Sequence, residues 1–117
     1  MSKPAMKPKT AKTLTRLVSL RRQQAEQSFA QAKDAVAAAE EDLAALEARL
    51  RSAPGPSEDF AALSLSERNG HAQRLLKLIE AQKADIERRK ATLAERREDL
   101  KRAFGSERRL GEIVRPK

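Results

Sequence analysis

Acidic side chains are the first groups in this sequence to consider for catalysis, because paired carboxylates can serve as general acid and general base. They cluster at Glu40, Glu41, Asp42 and Glu47. The residues from 14 to 51 are mostly strong helix formers, with no glycine or proline. We therefore interpret the cluster as the solvated face of a helix and predict no catalytic pair there.

Other catalytic and metal-binding patterns lack the residues that they need. His71 is the single histidine and there is no cysteine, so a catalytic triad, a thiol nucleophile or a histidine metal site has no second member. The glycine-rich phosphate loop that binds nucleotides is also missing. We predict that the protein is not an enzyme, takes no small-molecule substrate, and holds no metal and no cofactor.

Two basic clusters, at residues 88–90 and 96–97, could bind phosphates of a nucleic acid. Acidic residues lie among them at helical spacing: Glu87, Glu95, Glu98 and Asp99. No aromatic residue is interleaved to stack on bases. The pattern favours an exposed helix face and makes nucleic acid an unlikely partner in our prediction.

Phe60, Leu63 and Leu65 are apolar residues beside a region rich in proline and glycine. A regular helical seam does not require them there. Two interpretations stay open: they cap the end of a helical core, or they form a small apolar docking patch for a partner protein.

Few large apolar residues are available to build a core in this 117-residue chain, which has three Phe and no Trp or Tyr. This composition excludes a thick layered domain and favours long helices with a narrow apolar seam. We predict a flexible basic tail at 1–13, a helix at 14–51, a turn at 52–65, a helix at 66–110 and a flexible tail at 111–117. The turn contains Pro-Gly-Pro, and Asn69-Gly70 weakens the start of the second helix.

A seven-residue repeat predicts which faces of the two helices meet. In the first helix the two series are Val18, Ala25, Ala32, Ala39 and Leu46, and Phe29, Val36, Leu43 and Leu50. In the second helix Ala72, Ile79, Ile86, Leu93 and Leu100 form one series, whose companion begins at Leu75 or Leu76. The small alanines of one helix leave space for the bulky ridge of the other.

These seams predict an all-α fold, a two-helix antiparallel coiled-coil hairpin. Folding back through the turn places Phe29 near Ile86 and Arg22 near Leu93. A homodimer of extended helices is the alternative, but the Pro-Gly-Pro break favours a turn within one chain.

Positive charge concentrates at the end of the hairpin that holds both termini. Residues 1–22 carry seven bases and no acids, and residues 71–117 carry fourteen bases and eight acids. Such an end attracts an acidic protein surface, nucleic acid or anionic lipid. With no apolar run long enough for a membrane span or a signal peptide, we expect a soluble, cytoplasmic protein.

Three stretches of the sequence carry a family resemblance. They are Leu17-x-x-Leu20-Arg21-Arg22-Gln23-Gln24-Ala25-Glu26, Ala39-Glu40-x-x-Leu43-x-x-Leu46-Glu47 and Leu75-x-x-x-Ile79-x-x-Gln82-Lys83-x-x-Ile86. Together with the chain's size and basic character, they resemble the FliJ family of flagellar export proteins. The YscO-type stalk proteins of type III secretion are a near variant. The likeness spans residues 14–110.

The resemblance implies a central stalk of a bacterial flagellar or type III protein export apparatus, similar to the gamma subunit of rotary ATPases. Such a stalk binds a hexameric export ATPase, a membrane export gate protein and export chaperones, at the cytoplasmic face of the inner membrane. It implies an ATPase-binding set at Arg16, Arg21, Arg22, Arg108 and Arg109. It implies a gate-binding set at Leu75, Leu76, Ile79 and Gln82, although Leu75 and Ile79 also fit the seam.

Two other functions stay open on the sequence alone. One is a basic hairpin that binds structured nucleic acid. The other is a structural coiled-coil adaptor, with or without a basic tail on a membrane surface. Capture of partners from a lysate with and without nuclease distinguishes the first of these from the stalk.

Overall fold

Two helices make up the computed structural model, which describes residues 7–52 and 64–114: α1 (Pro8–Arg51) and α2 (Ser64–Val114). Arg22 of α1 contacts Glu107 of α2, and Phe29, further along α1, contacts Arg97, which is earlier in α2, so the helices run antiparallel. The predicted all-α fold, a two-helix antiparallel coiled-coil hairpin, is confirmed. Neither helix, as far as it is described, contains an apolar stretch long enough to cross a membrane.

The first helix begins at Pro8, six residues before the predicted Leu14. Proline suits a first helical position, because its missing N–H would have no partner there and its φ is already helical. The backbone N–H of Ala11 donates to the carbonyl of Lys7 at 2.9 Å, which closes the first turn. The predicted tail at 1–13 is therefore wrong for residues 8–13, and residues 1–6 lie outside the described part.

The predicted end of α1 at Arg51 is confirmed. The N–H of Ser52 donates to the carbonyl of Ala48 at 2.9 Å. Arg49 and Arg51 lie in the last turn, where positive charge complements the partial negative charge of a helix C-terminus.

The second helix is longer than predicted at both ends. It begins at Ser64 instead of Ser66 and ends at Val114 instead of Leu110, so the predicted tail at 111–117 is wrong for residues 111–114. Gly70 lies inside the helix, and an added Cβ there would meet only the flexible side chain of Arg74, at 3.6 Å. The cost of about 1 kcal/mol for a helical glycine is outweighed by the strong helix formers around it.

Contacts divide the chain into two units, each with a part of both helices. The described residues of one unit, 7–33 and 92–114, contain thirteen Lys and Arg and six Asp and Glu, and we call it the basic unit. The described residues of the other, 34–52 and 64–91, contain nine of each, and we call it the neutral unit. Among the described residues, net charge is therefore confined to the basic unit.

A buried apolar seam holds the helices together in the neutral unit. Its members are at most 8% exposed: Val36, Ala39, Leu75, Ile79 and Ile86. The companion series of α2 passes through Leu75, which is 2% exposed, and not through Leu76, which is 48% exposed. The structure thus decides the alternative that the sequence left open.

The seam of the basic unit is only half-buried. Its apolar members are Leu14, Val18, Ala25, Phe29, Ala32, Leu93, Leu100, Ala103 and Leu110. None of the side chains described in this unit is fully buried. The helix faces predicted from the repeat do meet in the basic unit, but they bury their apolar side chains less completely than those of the neutral unit.

The predicted axial register in the basic unit is wrong. Phe29 contacts Arg97 and not Ile86, and Arg22 contacts Phe104 and not Leu93. Both contacts lie about three helical turns further along α2 than predicted. A seven-residue repeat defines the face of each helix, but its successive layers, three or four residues apart, resemble one another, so it could not set which layers meet.

Candidate partner-binding surface

Positive side chains follow one another from Lys7, just before α1, to Arg22 without an acid among them. They are Lys7, Lys9, Lys12, Arg16, Arg21 and Arg22, and Glu26 is the first acid of the described chain. All except Arg22 are exposed, and the exposed five form no ion pair within the described residues. Their charge is therefore available to an external anion.

Arg22 differs from its neighbours because it belongs to the helix interface. Its Nε donates to Oε2 of Glu107 at 2.7 Å, and its Nη1 donates to Oε1 of Glu26 at 2.8 Å. The guanidinium also lies over the ring of Phe104, 5.9 Å from the centroid. Hydrogen bonding to Glu107 and then to Glu26 raises the pKa of Arg22 above its usual value.

A second cation–π pair lies one seven-residue repeat away, with the residue types exchanged between the helices. Here α1 supplies Phe29 and α2 supplies Arg97, again 5.9 Å from guanidinium carbon to ring centroid. The helices of the basic unit are thus joined by two reciprocal Arg–Phe pairs and by the ion pair from Arg22 to Glu107.

Most cations of the two basic clusters of α2 are paired with acids one turn away, as the sequence predicts for Lys90 and Arg96, whereas Arg97 lies over Phe29. Asp85 accepts hydrogen bonds from Arg89 at 2.7 Å and from Arg88 at 3.3 Å. The hydrogen bond from Arg89 is the main reason that the pKa of Asp85 lies below its usual 3.8. The remaining pairs follow the same pattern: Lys90 with Glu87, Arg96 and Arg102 with Asp99, and Lys101 with Glu98.

The five arginines assigned to the ATPase end all lie in the basic unit, but their surroundings differ. Arg16 and Arg21 are exposed and form no ion pair within the described residues. Arg108 lies 3.6 Å from Glu112, and Arg109 donates to Oγ of Ser106 at 3.4 Å. Arg22 is engaged with α2, so Arg16 and Arg21 are the members with the most freely available charge.

The residues assigned to the gate lie in the neutral unit, and only some are accessible. Leu75 and Ile79 are buried at 2% and 6% exposure, whereas Leu76 is exposed. Gln82 is half-buried, and its Nε2 donates to the backbone carbonyl of Ala39 at 2.9 Å, across the interface. Phe60 and Leu63 lie outside the described residues, as does Leu65's side chain. Binding by any of these residues stays a prediction.

Exposed apolar side chains on the basic unit were not predicted as site residues. Leu17 and Leu20 of α1 are 50% and 47% exposed, and Phe104 and Ile113 of α2 are 47% and 64% exposed. Leu17 and Leu20 are off the seven-residue series, which was the available signal that neither helix would cover them.

Glu107 was also missed, although the sequence contains the signal for it. The series Ile79, Ile86, Leu93 and Leu100 continues by seven to Glu107. Reading the repeat beyond its last leucine predicts an acid in the seam, and an acid in the seam requires a basic partner.

The described part of the chain contains no metal-binding cluster and no buried polar side chain without a partner. No protein-family model, curated protein or solved structure matches the chain. The charged and apolar surfaces of the two units are therefore the basis for a functional proposal.

Proposed function

We propose that this chain is a non-enzymatic stalk protein of a bacterial flagellar or type III protein export apparatus, as its resemblance to the FliJ family implies. The basic unit binds a hexameric export ATPase. The neutral unit contacts the membrane export gate, and export chaperones are further partners. The protein then works in the cytoplasm, at the face of the inner membrane.

One observation supports the ATPase contact. The described residues of the basic unit include thirteen bases and only six acids, and the cations from Lys7 to Arg21 form no ion pair within the described residues. Exposed ion pairs add little to the stability of a helix pair, so these charges are not needed for folding. Positive charge of this density increases the association rate with an acidic surface and selects against basic partners.

Pairing within α2 argues against nucleic acid as the partner. A phosphate-binding face needs cations whose charge is not already neutralised. Arg89, Arg96, Arg102 and Lys101 are each within 3.3 Å of a carboxylate one turn away. These clusters are consistent with the exposed face of a protein-binding coiled coil.

The test is stimulation of a hexameric export ATPase from the same host by the purified chain. In the test variant Arg16→Glu, Arg21→Glu and Arg109→Glu are combined, and Arg22 is kept because it pairs with Glu107. The matched control combines Arg74→Glu, Lys77→Glu and Lys83→Glu, which are exposed cations of the neutral unit. Both variants change the net charge equally.

We expect the basic-unit variant to lose stimulation and the neutral-unit control to keep it. The difference should shrink as salt is added, because the contact is electrostatic. Circular dichroism must show equal helicity for the three proteins. Equal stimulation by wild type and both variants would contradict the proposal, as would partner capture that disappears on nuclease treatment.

A gate contact is tested separately, on Leu76. Leu76→Glu places a charge on an exposed position of the neutral unit without touching the buried seam. We expect weaker capture of the gate's cytoplasmic domain and unchanged ATPase stimulation. If capture is unchanged, Leu76 is only a solvent-exposed leucine.

A further inference from the structure

The outer face of α1 in the basic unit combines apolar and positive side chains. Leu17 and Leu20 are about half exposed and neighbour each other at a spacing of three residues. Arg16 lies one turn before Leu20, and Arg21 lies one turn after Leu17. Uncharged Thr13 and Gln24 lie one turn away along the same face, so the leucines are surrounded by cations and neutral groups.

This face is not used to hold the hairpin together. The seam of α1 here consists of Leu14, Val18, Arg22 and Ala25, all of which are half-buried. Leu20 follows Val18 by two residues and therefore points about 200° away from it around the helix. The leucines are accordingly available while the two helices remain paired.

We propose that this face binds the surface of an anionic lipid bilayer, with α1 lying parallel to it. Leu17 and Leu20 enter the boundary between headgroups and acyl chains, while Lys9, Arg16 and Arg21 contact lipid phosphates. An interfacial helix needs an apolar strip bordered by Lys and Arg, and it does not need the length of a spanning segment.

Charge complementarity selects this occupant over the others. A second copy of the chain would bring two strongly positive units together, which costs free energy. A specific protein partner is normally anchored by aromatic side chains and fixed polar contacts, and residues 7–25 contain no aromatic residue and no acid. Aliphatic side chains and long cations suit a fluid surface that has no fixed geometry.

The proposal extends beyond the export-ATPase contact and does not depend on it. Flotation of the purified chain with vesicles contains no ATPase, and the ATPase assay contains no lipid. Either result can therefore fail without affecting the other.

Vesicle flotation compares phosphatidylcholine alone with phosphatidylcholine mixed with phosphatidylglycerol. The test variant combines Leu17→Gln with Leu20→Gln. The control is Leu78→Gln, at a leucine of the neutral unit that is 52% exposed and outside the proposed gate-binding set. Glutamine is a good helix former, so both variants should keep their helicity. We expect the wild type and the control to bind the anionic vesicles, and the test variant to bind about tenfold or more weakly.

Insertion of the leucines is measured with a single fluorophore, because the natural chain has no tryptophan. In Leu20→Trp, the emission should shift to shorter wavelength on anionic vesicles and stay unchanged on neutral ones. In Leu78→Trp, the emission should not shift on either.

Three results would overturn the proposal. They are absence of binding to anionic vesicles, equal binding by the test variant, and equal emission shifts from both tryptophan positions. Equal binding by the test variant would mean that the cations alone attract lipid. Unchanged lipid binding together with weaker capture of a protein partner would assign Leu17 and Leu20 to that protein.

Discussion

The basic and neutral units share one seven-residue repeat but hold their helices together by different forces. In the neutral unit, five apolar side chains are almost completely removed from water. In the basic unit the seam is half-buried, and two Arg–Phe pairs and an interhelical ion pair join the helices. Burial of apolar area provides most of the free energy of folding, whereas exposed ionic contacts provide little. The comparison therefore assigns most of the stability to the neutral unit, and the uncompensated positive charge to the basic unit.

The largest effect should come from removing the most buried leucine of the neutral unit. Leu75→Ala should lower the free energy of unfolding by about 2–5 kcal/mol, because it leaves a cavity at a side chain that is 2% exposed. Leu76→Ala, one residue away and 48% exposed, should cost less than about 1 kcal/mol. Urea unfolding followed by circular dichroism measures both, and equal costs would show that Leu76 belongs to the seam.

The next largest effect should come from enlarging a small residue in the same seam. Ala39 is 4% exposed, and its carbonyl accepts the hydrogen bond from Gln82. Ala39→Leu should destabilise by about 1–3 kcal/mol, because the added atoms push the helices apart. Ala38→Leu is the matched control, since Ala38 is exposed. Thermal unfolding of the two variants gives the comparison, and similar midpoints would contradict the close approach at Ala39.

A smaller and local effect is expected in the basic unit. Arg22→Gln removes two charged hydrogen bonds and one cation–π contact, so the amides around residues 18–26 and 100–107 should exchange hydrogen faster. Amides of the neutral unit should be unaffected, and Arg21→Gln should change neither unit. Hydrogen exchange followed by mass spectrometry resolves the regions. Protection lost equally in both units would show that the two do not open separately.

The smallest effect concerns acid sensitivity in the neutral unit. The pKa of Asp85 is lowered in the folded state by Arg89, so its ionised form favours folding above the unfolded pKa. That contribution is lost as the pH falls through the folded pKa, from about pH 4 downward. In Asp85→Asn this part of the acid dependence should be missing. Unfolding midpoints measured between about pH 5 and about pH 2 give this acid dependence, and Glu87→Gln is the control variant. The same pH dependence in Asp85→Asn and the wild type would contradict the prediction.

The faces of both helices could be predicted from the sequence, whereas the ends and the register could not. Positions such as Ala39 and Ile79 are defined by local spacing, and both are buried. The start at Pro8 differs from the prediction because a proline at the first helical position begins a helix instead of breaking it. The register was missed because successive apolar layers of the repeat resemble one another and do not identify their partners on the other helix.

Both the charge of the candidate surface and its exposed leucines leave a signal in the sequence, since Leu17 and Leu20 lie off the seven-residue series. Counting bases and acids along residues 1–22 identifies the basic end directly. A count of charges does not predict which cations are paired. Arg22, for example, pairs with Glu107, which is 85 residues away in the sequence. The identity of a partner stays a prediction, since no contact within the chain reports on an external protein.

The exchange of residue types between the two Arg–Phe pairs also discriminates between ways of assembling the chain. In a parallel two-chain coiled coil, every seam residue faces its own copy, so Arg22 would meet Arg22 and two like charges would lie in one layer. The antiparallel partner supplies Phe104 and Glu107 to Arg22 and supplies Arg97 to Phe29. At these positions the pairing of α1 with α2 is therefore favourable, whereas the pairing of α1 with a second α1 is unfavourable. These layers therefore disfavour parallel, in-register pairing of α1 helices from two copies of the chain, including copies that are close together during synthesis on one messenger.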